Sequence, residues 1–152
     1  QTFNIIAEGV NWTYPSSLPA TCCNFRQEEG VTGVGAAVTA NANLDGSGNI
    51  ATVFTATGSA NGCLIKSITI KALQSTNEGM VRLFIKDGAG TYALMREIYI
   101  PQTAQSAFQP SFKYVLDEEF HIESGFVLGA STQLTQSFGI TVEAVNWSYP
   151  IS

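Results

Sequence analysis

Leu64-Ile65-Lys66-Ser67-Ile68-Thr69-Ile70-Lys71-Ala72, in the middle of the chain, alternates between two sets of side chains. One set is apolar except for Lys66, and it consists of Leu64, Ile68, Ile70 and Ala72. A period of two residues is that of a half-buried β-strand. The stretch therefore predicts a strand whose Leu64, Ile68, Ile70 and Ala72 face the core.

The residues that follow predict a β-hairpin. Residues 81–86 are β-rich, and Asp87-Gly88-Ala89-Gly90 follows them as a turn. The return strand covers residues 91–100, and Pro101 ends it because proline cannot donate to the ladder.

Further strands are predicted along the whole chain, and no segment has the period of an amphipathic helix. They cover residues 2–7, 50–57, 112–116, 125–131 and 138–147, whereas residues 117–124 suit only a turn. With 14 glycines and turn signals every 8 to 12 residues, the pattern predicts an all-β antiparallel β-sandwich. We expect a jelly roll of about eight strands, with an immunoglobulin-like sandwich as the alternative.

Residues 10–39 differ from the rest because they have prolines, glycines and no clear period. A long structureless loop in a compact domain usually has a purpose, such as reaching another subunit. We therefore expect residues 1–40 to form an N-terminal strand and extended arm. Residues 41–152 then form the β-sandwich of a single globular domain.

Charged residues make up only 12% of the chain, with 7 basic and 12 acidic residues and a net charge of -5. This balance lacks the basic footprint of a nucleic-acid-binding protein. No run of about 18 apolar residues occurs, so no membrane span is predicted.

Groups for catalysis are scarce. His121 is the one histidine, and its position before a predicted strand favours a polar edge residue over a general base. The acids at 117–123 lack an EF-hand pattern and are better explained as a solvated loop. We expect no catalytic residues, no bound metal and no cofactor, and therefore a protein that is not an enzyme.

The three cysteines, Cys22, Cys23 and Cys63, leave at least one thiol without a partner inside the chain. Adjacent cysteines rarely bond to each other, because the intervening peptide strains the ring. Either all three are buried or free thiols, or one of the adjacent pair bridges Cys63 and the other links a neighbouring subunit.

A pentapeptide occurs twice, as Asn11-Trp12-Thr13-Tyr14-Pro15 and as Asn146-Trp147-Ser148-Tyr149-Pro150. In an extended strand, Trp12 and Tyr14 share one face, as do Trp147 and Tyr149. These aromatics either close one end of the sandwich or form an interface patch, since Trp and Tyr favour interfaces. Tryptophans also stack on sugars, so a carbohydrate site is a further alternative.

From about Ala51 to Val145 the chain resembles a small protein that many tailed bacteriophages encode. The residues that carry the resemblance are Val53-Phe54-Thr55-Ala56, Ala60-Asn61-Gly62, Leu64-Ile65-Lys66-Ser67-Ile68, Lys71-Ala72, Gly79-Met80-Val81-Arg82-Leu83-Phe84-Ile85-Lys86-Asp87-Gly88, Leu94-Met95-Arg96-Glu97-Ile98, Leu128-Gly129-Ala130-Ser131-Thr132 and Phe138-Gly139-Ile140. Those proteins are regarded as virion structural components, with no agreed catalytic residues. The arm and the cysteine pair lie outside the pattern.

The resemblance implies a capsid decoration or cementing protein on the capsid surface. We expect such a protein to be a homo-oligomer, most simply a trimer, that contacts the major capsid protein, because many copies make weak contacts effective. The alternative is a carbohydrate-binding or receptor-binding module of a fibre or tail, with a glycan as its ligand.

Overall fold

The computed structural model describes residues 27–57 and 62–148 of the 152-residue chain. Nine strands and no helix lie within those two ranges, so the predicted all-β class is confirmed. The strands are β1 (Gln27–Ala37), β2 (Ala51–Thr55), β3 (Cys63–Ala72), β4 (Gly79–Lys86), β5 (Ala93–Ile100), β6 (Lys113–Leu116), β7 (Phe120–Ile122), β8 (Val127–Thr132) and β9 (Phe138–Ser148).

The strands form two antiparallel sheets that pack face to face as a β-sandwich. The first sheet has the order β1-β9-β3-β6, and β7 pairs with β3 on the same side as β6. The second sheet has the order β2-β8-β4-β5. The edge strands β1 and β2 contact each other at one side of the sandwich.

The core fills the space between the sheets with aliphatic and aromatic side chains. Its largest fully buried members are Phe138, Ile65, Ile68, Ile70, Leu83, Ile100, Ile122, Leu128, Ile140, Val81 and Val142. Removing this apolar surface from water is the main force that holds the two sheets together.

In β3 the predicted core face is right in one half and wrong in the other. Ile68, Ile70 and Ala72 are buried as predicted, but Leu64 is only half-buried and Ile65 is fully buried in its place. The pairing of β3 with β9 shifts register between Ile65 and Ser67, which leaves Lys66 as the extra residue of a β-bulge. One extra residue reverses the alternation, so the prediction failed N-terminal to Lys66.

The structure corrects the assignment of residues 27–37 to a loop or arm. These residues form β1, whose eleven residues pair in unbroken register with β9 from Gln27↔Ser148 to Ala37↔Phe138. The prediction failed because Gly30, Gly33 and Gly35 were interpreted as loop residues. The rest of the predicted arm, residues 1–26, and the predicted strand 2–7 lie outside the described residues.

The hairpin and the later strands agree with prediction. β4 and β5 pair antiparallel across the Asp87 to Gly90 turn, with a bulge beside Leu83 and Phe84. One further correction concerns residues 117–124, which were assigned to a turn. They contain β7, three residues that pair with Cys63, Leu64 and Ile65.

Candidate interaction surface

The two sides of the sandwich differ in charge. At the β5–β6 side, the loop between β6 and β7 is tied to both sheets by ion pairs. Glu118 lies 2.6 Å from Nη2 of Arg96 on β5, and Glu119 lies 2.8 Å from Nζ of Lys66 on β3. The hydrogen bond from Arg96 lowers the pKa of Glu118. Charged side chains of this kind protect a sheet edge from pairing with another chain.

The β1–β2 side has an open, neutral groove of about 390 Å³ between the two sheets. Its lining residues are Thr32, Gly33, Val34, Thr52, Val53, Phe54, Thr55 and Thr57, none of which carries a charge. β1 and β2 each end their sheet, so the outer backbone edge of each has no partner strand among the described residues. Val34 is 76% exposed at the rim of this groove.

Gly33 and Gly35 let the edge strand β1 pack closely against the edge strand β2. A Cβ at Gly33 would lie 2.6 Å from Cδ2 of Phe54, and one at Gly35 would lie 2.7 Å from Cγ1 of Val53. A larger residue at either position therefore pushes β1 away from β2. The glycines suggested a loop in the sequence, but their role is to permit close packing of two strands.

The outer face of the first sheet carries one row of uncharged side chains, flanked by Lys71, Lys113 and Glu143. The registers place Val34, Thr141, Thr69 and Val115 side by side across β1, β9, β3 and β6. Val34 and Val115 are exposed at the two ends of this row, at 76% and 45%. A row of uncharged β-branched side chains loses little favourable hydration when another surface covers it.

Phe108 projects from the connection between β5 and β6. Ser106 and Gln109 exchange backbone hydrogen bonds of 3.1 and 3.3 Å, which close a tight turn. The Ser106 hydroxyl also accepts hydrogen bonds from the N–H groups of Phe108 and Gln109. This turn holds the Phe108 side chain 99% exposed. Phe108 was not predicted as a surface residue, because nothing in the sequence distinguishes it from a core phenylalanine.

A second feature absent from the sequence predictions is Arg82, a buried cation on the outer face of the second sheet. Its side chain is 7% exposed, and Nε donates to Oε1 of Glu97 at 2.9 Å. Nη1 donates to the main-chain oxygen of Asn41 at 3.3 Å. Arg82 therefore fastens the β1–β2 connection, residues 38–50, onto the sheet.

That connection has the spacing Asn41-x-Asn43-x-Asp45-Gly46, which resembles the start of a calcium-binding loop. The buried Asn41 carboxamide fills its centre and donates to the carbonyl oxygens of Ser47 and Asn49 at 2.8 and 3.0 Å. Gly46 has a φ of 81° and packs against the Tyr92 backbone. Asp45, the one carboxylate, accepts hydrogen bonds from Ser47, which lower its pKa. The amide group thus stabilises the loop from within.

Most of the predicted interface and disulfide residues, namely Trp12, Tyr14, Tyr149, Cys22 and Cys23, lie outside the described residues. The backbone of Trp147 pairs with Glu28, at the start of β1. Cys63 is a free, buried thiol whose Sγ donates to Oδ1 of Asn146 at 2.8 Å, and burial raises its pKa. The proposed links between the cysteines stay a prediction.

The remaining candidates for chemistry are spread apart. His121 is exposed on β7, at the sheet edge as predicted. Within residues 27–57 and 62–148, no group of three or more His, Cys, Asp or Glu is placed to hold a metal ion. The same part of the chain has no helix of the length and hydropathy needed to cross a membrane. No protein-family model and no curated protein matches the sequence, so the resemblance to phage virion proteins stays a prediction.

Proposed function

We propose that the chain is a non-enzymatic virion structural protein of a tailed bacteriophage. In this proposal it decorates or cements the capsid, binds the major capsid protein and acts as a homo-oligomer, most simply a trimer, on the capsid surface. The observation that carries the proposal is the Ser106–Gln109 turn, which presents Phe108 fully to solvent.

A fully exposed phenylalanine on a constrained turn suits an anchor that inserts into a partner's pocket. Aromatic side chains dominate the binding energy of protein interfaces when they fill a desolvated pocket. The hydrogen bonds around Ser106 hold the turn before binding, which reduces the entropy lost on association. One anchor per copy is weak, but an oligomer engages several sites of a lattice at once.

The strand order supports a jelly roll as the finer description of the sandwich. If β6 and β7 are counted as one interrupted strand, the described part of the chain has eight strands in two four-stranded sheets. The first strand lies beside the last, and the second lies beside the next-to-last. Two interlocked Greek keys generate this order, and jelly rolls are frequent in viral capsid proteins.

The test compares the capsid affinity of Phe108→Ala with that of Leu73→Ala. Leu73 is also an exposed large apolar residue, at 56%, but it lies on a different connection. Co-sedimentation with capsids of the encoding phage should show at least about a tenfold loss for Phe108→Ala and little change for Leu73→Ala. Light scattering gives the oligomeric state of the unmodified protein. A strict monomer that does not sediment with capsids contradicts the proposal.

The alternative, a carbohydrate-binding or receptor-binding module of a fibre or tail, depends on the repeated Trp and Tyr residues of the sequence. It predicts glycan-array binding that is lost in Trp12→Ala and Trp147→Ala. Array binding with unchanged capsid affinity in Phe108→Ala would favour this alternative over decoration.

A further inference from the structure

We infer that the groove between β1 and β2 accepts an extended N-terminal segment, residues 2–7, from a second copy of this chain. The segment would add a strand to the open edge of the sandwich and link neighbouring copies. This inference rests on the proposed function, because it names the contact that joins copies within the oligomer.

The β1 edge of the groove lacks the usual protection against strand pairing, whereas β2 has a bulge between Thr52 and Phe54. β1 carries no charge and no proline from Gly30 to Ala37, and β2 carries none along its five residues. Natural proteins shield exposed edges with charges, prolines or bulges, since unpaired N–H and C=O groups attract other strands. The opposite side has those features, with Arg96 and Glu97 on β5, Pro101 after it, and Lys113 on β6. One side is thus built to remain free, and the other is suited to strand addition.

The occupant is indicated by the chain that precedes β1. Twenty-six residues come before Gln27, the first residue of β1, and fully extended they reach at most about 94 Å. Residues 2–7, Thr2-Phe3-Asn4-Ile5-Ile6-Ala7, carry no charge and match the uncharged lining of the groove. Such a segment gives the open edge main-chain hydrogen bonds and places apolar side chains beside Val34.

A second copy is a better source than the same chain. Pairing within one chain is most direct for the residues that precede β1. Pro15 and Pro19 cannot donate to a ladder, and they leave only residues 20–26 for a turn and a pairing strand. Residues 2–7 are separated from Gln27 by nineteen residues, enough to cross to a neighbour. Exchange of identical segments between copies is a low-cost route to an oligomer.

The test places a photo-crosslinking residue, p-benzoylphenylalanine, at Val34 in the full-length chain. A matched control carries it at Val115, which is also an exposed valine on an edge strand but lies on the charged side. After irradiation, the Val34 variant should give a covalent dimer on a denaturing gel, with the crosslinked peptide mapping to residues 2–7. The Val115 control should not give that peptide.

Three results would overturn the inference. They are a monomer-sized product that joins position 34 to residues 2–7, crosslinks to capsid protein only, or no crosslink at all.

As a second measurement, Ile5→Lys together with Ile6→Lys should abolish the dimer crosslink, because charges enter a neutral groove. Capsid co-sedimentation of the same proteins separates the two proposals. Normal capsid binding without the dimer crosslink removes the strand exchange and leaves the decoration role standing.

Discussion

Arg82 and Glu97 face each other across β4 and β5, with 2.9 Å between Nε and Oε1, on the side of the sheet that residues 38–50 cover. The guanidinium is almost fully buried, whereas the carboxylate is 40% exposed. Because Arg82 also binds the Asn41 carbonyl oxygen, its charge is satisfied from two elements. Arg82 and Glu97 thus join the β4–β5 hairpin to residues 38–50, the connection between β1 and β2.

Glu97→Gln should therefore destabilise the fold, because it leaves a buried cation with a weaker partner. We expect a loss of about 1–3 kcal/mol in the free energy of unfolding, measured by urea denaturation. The loss should fall in the lower half of that range because Glu97 is partly solvated. Glu118→Gln removes the partner of the exposed Arg96 and is the control, with a much smaller effect. Equal losses in the two variants would show that burial of Arg82 has no energetic consequence.

Asn41→Asp should turn the connection at 38–50 into a metal-dependent loop. The new carboxylate cannot donate to the carbonyl oxygens of Ser47 and Asn49. Its negative oxygens would instead face these negatively polarised oxygens in a buried site. We expect a loss of about 3 kcal/mol at neutral pH, a smaller loss at low pH where the new acid is protonated, and partial recovery in millimolar Ca²⁺. Asn43→Asp, at an exposed position, is the control. Unchanged stability of Asn41→Asp would contradict the role given to the carboxamide.

Gly33→Ala should destabilise the sandwich by about 1–3 kcal/mol, since its Cβ would overlap Phe54 and the Val53 carbonyl. Gly30→Ala provides a matched control on the same strand, because a Cβ there meets nothing within 4 Å. Thermal unfolding of both variants measures the difference. A Gly33→Ala protein as stable as Gly30→Ala would mean that β1 does not pack against β2 this closely.

Cys63 should make stability fall at alkaline pH. Burial raises the pKa of its thiol above the ordinary value of about 9, so the unfolded chain releases this proton at a lower pH than the folded protein does. The contribution of the protonated Cys63 thiol to the free energy of unfolding is fully present below about pH 9. It is lost as the pH rises through the pKa that this thiol has in the folded protein. The unfolding free energy of Cys63→Ser should therefore decline less steeply above pH 9. Rapid labelling of Cys63 by a thiol reagent in the native protein would contradict its burial.

The sequence predicted the fold class because strand periodicity and turn residues are local signals. It failed where one residue changes their phase, as Lys66 does in β3, and where glycines serve packing, as in β1. Neither Arg82 nor Phe108 was predicted, because burial of a cation and exposure of an aromatic depend on connections folded from distant parts of the chain. Asn41 was not predicted either, because its role depends on carbonyl oxygens that the folded loop brings around its side chain.

If copies exchange N-terminal segments as proposed, the difference between the two sides of the sandwich also sets the valence of their assembly. A chain with one groove then has a single acceptor, and its N-terminal segment makes it a single donor. Copies that exchange strands in this way add head to tail, and a ring is the arrangement that leaves no acceptor empty. A closed ring stops growing by itself, whereas a sandwich with two open sides would continue into sheets and fibres.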